Sequence, residues 1–453
     1  MAARETETER IDFRKLVIVG VLNMAQSFPQ SFTGNALPFM FRKQGLPLDM
    51  FWLLALPTYP NSFRWLISIA VDNFGSERFG YRKSWILPCT LVGTIAYSVL
   101  AFVPPSVAAV YVITGILLFK AIVMVAQDVA IDAYAAEAMS ERERPTGTSM
   151  INWLAGVANL AGGSTVALVP RIGWTPTMMS ASALLLFAVT PAMIRREHPP
   201  PEARRTRQAS GDHANILLTL LRPESLYILP FAFFWGFGAG FIGPMIGAFY
   251  ADMGLSMTLY GLFPFGGFAS STLTAIATPL LVQKIGLRRT ALIGVCFIPI
   301  EAAMYSAFAL TSLPPFPVLI VMVSVMGFVT GLFSYPVMIS RFRWASKAQA
   351  GTDYALMSSL TGFGVATGAL VTGFLAKAVG WAYFFPIASL FSLTAGVCYV
   401  GMFNRIERLV QEREQAELDP GATHVSQVRL TRAMQFLTRT LDRLGADDRR
   451  SRS

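Results

Sequence analysis

A chain of 453 residues that is 53% hydrophobic and only 14% charged, with mean hydropathy +0.49, departs from soluble globular composition, in which about 25% of residues are charged. The net charge of +10 would suit a nucleic-acid binder, but the lysines and arginines fall in short stretches between apolar runs and in a tail, which points to a membrane surface and away from nucleic acid. The three cysteines (Cys89, Cys296, Cys398) lie far apart inside apolar runs and the three histidines make no cluster, which excludes a disulfide framework or a metal-spaced set.

The first ten residues are charged and precede no short apolar core with a cleavage site, so the first apolar run is expected to serve as the insertion signal. Runs of the length that crosses a bilayer are predicted at 16–41, 50–72, 84–103, 107–136, 148–170 and 174–194. Six more follow at 225–251, 257–283, 290–311, 316–340, 350–377 and 381–403. The expected fold is an all-α membrane protein of twelve transmembrane helices in two six-helix halves. The halves are 16–194 and 225–404, between an N-terminus (1–15), a linker (195–224) and a basic tail (405–453). In the tail, Leu430, Met434, Leu437, Leu441 and Leu444 recur at helical spacing; an amphipathic helix on the inner leaflet and a solvated tail both fit that pattern.

The halves repeat each other. Gly34, Phe41, Gly45 and Leu46 recur as Gly243, Tyr250, Gly254 and Leu255 at an offset of 209, and Gly80, Arg82 and Lys83 recur as Gly286, Arg288 and Arg289 at 206. Gly147-Thr148 returns as Gly351-Thr352, and Gly173-Trp174 as Gly380-Trp381. Two parallel halves in a membrane usually rock about a central cavity, which makes transport the leading expectation. Twenty-one lysines and arginines lie on the side of the termini against four (Arg42, Lys43, Arg171, Lys377) on the other, which places both termini in the cytoplasm.

An ionisable group within a span costs about 2.5–3.5 kcal/mol on insertion scales, so each needs a reason. Arg64 falls in the second span, Lys120, Asp128 and Asp132 in the fourth, and Glu301 in the ninth, while Asp353 opens the eleventh. Asp128 and Asp132 share a helix face, and charge pairs between the second and fourth helices are expected. A static bridge and a switchable pair that takes up a proton or solute charge both remain open for them. Glu301 has no local partner; a proton carrier and a neutral core glutamate are the alternatives there. Gln26, Gln30, Asn35, Tyr59, Gln127 and Trp235 are candidates for lining the cavity, although interhelix hydrogen bonding explains such residues equally well.

Asp72-Asn73-Phe74-Gly75, followed by Gly80-Tyr81-Arg82-Lys83, resembles the cytoplasmic loop signature of the major facilitator superfamily. The resemblance implies that Asp72, Gly75, Gly80, Arg82 and Lys83 form a gating loop. The second half offers Thr278 or Gln283 where the aspartate would recur, so the latch is one-sided. Gln127-Asp128-Val129-Ala130-Ile131-Asp132-Ala133-Tyr134, with Glu137 and Glu141-Arg142 after it, is similar to the fourth helix of AmpG-type permeases. These belong to the peptide/acetyl-CoA transporter branch of that superfamily. The eight-residue spacing of Arg64 and Asp72 also fits. The branch's Trp-Ala-Pro reads Ile67-Ser68-Ile69 here, and its Asp-Arg reads Asp72-Asn73. Ala36-Leu37-Pro38-Phe39, Gly75-Ser76-Glu77-Arg78-Phe79-Gly80 and Ser84-Trp85-Ile86-Leu87-Pro88 look closer to siderophore permeases of the same branch.

The resemblance implies proton-coupled import of a siderophore or muropeptide across the bacterial inner membrane, with solute, protons and lipid as partners. A drug or metabolite exporter and a non-transporting receptor are the alternatives. No phosphate-binding glycine loop, metal-spaced set or nucleophile elbow is found, so neither an enzyme nor a cofactor is expected.

Overall fold

A computed structural model of the chain describes residues 12–76, 79–139, 143–194, 219–345 and 350–418. The first half runs through α1 (Phe13–Ser31), a π-helical turn (Phe32–Ala36) and α2 (Leu37–Lys43), then α3 (Trp52–Ala55), a 3-10 run (Leu56–Phe63) and α4 (Arg64–Asn73). It continues with α5 (Lys83–Leu100), α6 (Val110–Ala138), α7 (Arg144–Ile172) and α8 (Trp174–Ile194). The second half comprises α9 (Ser225–Asp252), α10 (Met257–Tyr260), α11 (Phe263–Ile285), α12 (Leu287–Leu310), α13 (Phe316–Trp344), α14 (Ala350–Val379) and α15 (Trp381–Leu418).

Among the described residues nine helices are long and apolar enough to cross a membrane, and Trp174–Thr190 is a shorter apolar helix. The first two expected spans are helical but broken. Proline lacks the N–H that an α-helical ladder needs. Pro29 precedes the π turn of the first span, and Pro57 and Pro60 sit in the 3-10 run of the second. Many large apolar side chains, among them Phe102, Leu226 and Tyr383, face outward, as a bilayer-facing surface requires.

The repeat has a backbone cause. Among the described residues the positive-φ positions are Gly45 (83°), Gly80 (96°), Gly173 (86°), Gly254 (83°), Gly286 (82°) and Gly380 (73°). They form three repeat-related pairs. Gly45 and Gly254 close helices in the same way: Leu46 N–H donates to Phe41 O and Leu255 N–H to Tyr250 O, both at 3.0 Å, the bond of a Schellman cap. A side chain at such a φ is strained, so each copy keeps its glycine.

The most extensive packing pairs α1 with α7 and α9 with α14. On α9 and α14 two glycine pairs four residues apart face each other. A Cβ would lie 2.1 Å from Thr361 O at Gly236 and 2.0 Å from Val365 O at Gly240. From the other side it would lie 2.1 Å from Phe233 O at Gly364 and 2.4 Å from Phe237 O at Gly368. Backbones this close are how membrane helices gain packing without a hydrophobic driving force.

At the end that carries the termini, α15 runs on past Arg405 to Leu418. Its Arg413 donates to Glu224 at 2.8 Å and to Trp344 O at 3.2 Å. Asp353, at the start of the eleventh expected span, is buried and accepts from Thr219 and Arg222, both at 2.5 Å. These contacts tie the end of the linker to the second half. Most of the linker and the Leu430–Leu444 pattern lie outside the described residues.

Gly240→Val should lower stability by about 1–3 kcal/mol, the range for overpacking, read as a lower melting midpoint in detergent. Gly243→Val on the same helix faces open space and should stay within about 0.5 kcal/mol. Equal melts for the two variants would contradict the backbone contact.

Candidate functional site: a charged cavity between the halves

A cavity of about 730 Å³ lies between the halves. Its polar wall belongs to the first half, with Gln26, Gln30, Asn35, Asn61, Arg64, Lys120 and Asp128. The facing wall, from α9 and α14, is small and apolar: Ala239, Gly240, Gly243, Pro244, Gly362, Val365 and Ala369. A second cavity of about 340 Å³ adjoins it through Ser31, Asn35 and Asn159, which belong to both walls.

Local structure places these groups. Thr33, Gly34 and Asn35 sit in the π turn that follows Pro29, a helix irregularity that often marks a functional site. Lys120, Met124, Asp128 and Asp132 follow at four-residue steps on α6 and so share one face. Arg64 opens α4 where the 3-10 run ends.

Arg64 pairs with Asp132, and the Gln26 amide donates to Asp132 Oδ1 at 3.3 Å and to Asp128 O at 2.9 Å. This joins α1, α4 and α6 in one polar cluster. Asp128 Oδ1 is buried and makes no hydrogen bond. The Lys120 ammonium is buried over the Tyr97 ring at 5.2 Å, a cation–π contact. Burying charge without a tight partner is expensive, and these two groups carry that cost. The Arg64–Asp132 pair lies nearer the end with the termini. Its side chains are 33% and 50% exposed.

The other predicted positions separate from this cluster. Gln127 is buried and donates to Thr90 on α5. Tyr59 reaches across the halves, with its hydroxyl 3.4 Å from Thr367 Oγ1. Trp235 lies under the Arg341 guanidinium at 4.6 Å, and Arg341 donates to Thr361 at 2.8 Å. Arg341, one of the twenty-one cations on the side of the termini, is a buried residue of α13; a position just past the expected span end at 340 gave no signal of that. Glu301 is on α12 beside Thr330, in the opposite half and off the cavity wall.

In the loop after α4, Arg82 is buried and donates to Val71 O at 3.2 Å. Lys83 is buried, and a Cβ at Gly75 would meet the Tyr81 ring at 2.7 Å. The Asp72 side chain lies outside the described residues.

The end opposite the termini is fastened across the halves. Arg42 grips Asp252 with two bonds, at 2.6 and 2.9 Å, and Trp381 Nε1 donates to the same carboxylate at 2.8 Å. Lys377 pairs with Asp49 at 2.8 Å, and Tyr260 stacks on Phe39 with centroids 4.0 Å apart. Sequence reasoning missed this latch because its acids lie in a short turn (Asp49) and at a helix end (Asp252), where charge is ordinary. The Lys377 hydrogen bond holds the Asp49 carboxyl below its ordinary 3.8. A lowered folded pKa means that the pair is fully present above the ordinary value and is lost as pH falls through the lowered one. The pair is therefore intact at neutral and mildly acidic pH. At the other end Lys15–Glu143, Arg222–Asp353, Arg343–Glu407 and Arg413–Glu224 each stay within one half. Among the described residues no group of three or more His, Cys, Asp or Glu is placed to hold a metal ion.

The sequence profile of the Major Facilitator Superfamily matches residues 19–300 and 233–441. The chain is 22% identical over 403 residues to the Anhydromuropeptide permease of Escherichia coli (strain K12), covering 84% of this chain and 77% of that one. In fold it is similar to a crystal structure of the nucleoside transporter NupG, with TM-score 0.63, 15% identity and 86% and 98% of the two chains covered. A D-xylose-proton symporter gives TM-score 0.64, 14% identity and coverage of 87% and 97%.

Gly34 and Gly243, equivalent in the repeat, both line the cavity, and a Cβ at either meets nothing within 4 Å. Gly34→Leu and Gly243→Leu should therefore melt like the unmodified protein yet lose solute accumulation; full accumulation would show that the cavity is not the path. Asp49→Asn should speed labelling of an Asn35→Cys reporter, in a background without other cysteines, by a membrane-impermeant maleimide applied to the face opposite the termini. An unchanged rate would show that the Lys377–Asp49 pair does not hold that face shut.

Proposed function

We propose that this chain, which belongs to the major facilitator superfamily of membrane transporters, is a proton-coupled importer of a medium-sized polar solute. The solute class proposed is a sugar-peptide of the muropeptide kind, taken across the bacterial inner membrane into the cytoplasm. The observation that carries the reading is the cavity, in which Lys120 and Asp128 line a chamber between two halves that, among the described residues, are tied by ion pairs at the end opposite the termini. A chamber of about 730 Å³ falls in the range that encloses solutes of this size, about 300–1,000 Å³. The relative named Anhydromuropeptide permease supports the solute class. The excess of Lys and Arg on the side of the termini supports a cytoplasmic location for both.

In this reading the latched face is periplasmic. Solute enters when Arg42–Asp252 and Lys377–Asp49 part, and a proton joins Asp128. Neutralising that carboxylate lowers the cost of closing the cavity around it. The halves then rock back and re-form the latch, and solute leaves past the Arg64–Asp132 pair.

The test is uptake of labelled anhydro-muropeptide and of labelled iron–siderophore by cells expressing the chain, with and without a protonophore. Protonophore-sensitive accumulation of the muropeptide is the expected result. Accumulation of the siderophore alone would move the assignment to that solute, and uptake indifferent to protonophore would remove the proton coupling. Asp128→Asn should reach the membrane in normal amount and abolish accumulation; normal uptake by that variant would end its role.

A further inference from the structure

The two copies of the Gly-x-Arg-Lys/Arg element use their cations differently. In the first half Arg82 and Lys83 are buried in the protein. In the second, Arg288 and Arg289 stand exposed in the first turn of α12, and Arg288 Nε donates to Val400 O at 2.8 Å. Neither Thr278 nor Gln283, the residues available at the position matching Asp72, is acidic.

Arg343, at the end of α13, and Arg408, on α15, converge on the same groove of about 710 Å³. Its one carboxylate, Glu407, pairs with Arg343 at 2.6 Å. Among the described residues no carboxylate pairs with Arg288, Arg289 or Arg408. The groove therefore concentrates positive charge. Two of these arginines also sit at the positive end of the α12 dipole, where cations are disfavoured and an anion is favoured. Beneath the cations, Val282, Ile285 and Phe403 supply apolar surface. The groove lies at the ends of α11, α12 and α13, on the side of the termini, where a bundle of this kind meets the leaflet surface.

We infer that this groove binds the headgroup phosphate of an anionic phospholipid. Guanidinium groups match phosphate oxygens in pairs, and basic pockets between helix ends on the cytoplasmic side suit such headgroups. The apolar floor meets the glycerol and upper acyl chain, which favours a lipid over a free phosphate. All the walls come from the second half, so the lipid would hold that half alone at the leaflet.

The full-length protein, purified in detergent, is titrated with phosphatidylglycerol or phosphatidylcholine, and bound lipid is counted by native mass spectrometry. Phosphatidylglycerol should be retained with about tenfold preference, and Arg289→Gln/Arg408→Gln should bring the two lipids within about twofold of each other. Equal retention of both lipids by the unmodified protein would overturn the assignment, as would an undiminished preference in the double variant. Should that variant not be recovered folded, Arg408→Gln alone, exposed on its helix, should lower the preference by about threefold, and no change would count against the site. Excess inorganic phosphate should leave the bound phosphatidylglycerol in place; complete displacement by phosphate would make this a small-anion site and refute the lipid assignment.

Discussion

Four ionisable side chains, Arg64, Lys120, Asp128 and Asp132, stand on one wall of an apolar bundle, and most of what is distinctive in this molecule follows from keeping them there. A bilayer-spanning helix can carry such groups only if they share partners or meet water. Arg64 and Asp132 satisfy each other, with the Gln26 amide beside them. Lys120 rests on the face of Tyr97, and one oxygen of Asp128 is left without a hydrogen bond. The cavity lets these groups stand in a chamber instead of against the apolar bundle. Closing it without a solute or proton would strand Asp128 and Lys120 in a dry interior.

The second half answers this polar wall with glycine, alanine, proline and valine. Its glycines do two different jobs on one helix. Gly236 and Gly240 bring α9 against the backbone of α14, while Gly243, one helical turn further on, leaves open space at the cavity wall. A smooth wall can move past a solute held on the other side without breaking hydrogen bonds of its own. Between the halves, the only ion pairs among the described residues are Arg42–Asp252 and Lys377–Asp49, both at the end opposite the termini.

The sequence made the architecture readable because membrane helices announce themselves by length and because glycine at positive φ cannot be replaced cheaply. The pairs Gly45/Gly254, Gly80/Gly286 and Gly173/Gly380 carried the repeat in the sequence and turn out to be the turns of the backbone. The α6 charges were also legible, since cost alone marks them as purposeful. Side-chain direction was harder to read. On a helix that is apolar all round, no polar stripe shows which face looks inward, so Gln127 read like a cavity residue although it packs on α5. Glu301, placed in the ninth span by the sequence, lies off the cavity wall, and nothing in the sequence pattern showed which way it faces. The latch was invisible because Asp49 and Asp252 are separated from their partners by hundreds of residues, and an aspartate at a helix end needs no special explanation.

Transport through this cavity requires the halves to part at the Arg42–Asp252 contact during each cycle. The most direct measurement replaces both residues, Arg42→Cys with Asp252→Cys, in a chain whose own Cys89, Cys296 and Cys398 have been substituted, and follows solute uptake before and after oxidation and again after reduction. Uptake that stops when the cross-link forms and returns when it is reduced is the predicted result. Uptake that continues at full rate with the cross-link in place would contradict alternating access through this face.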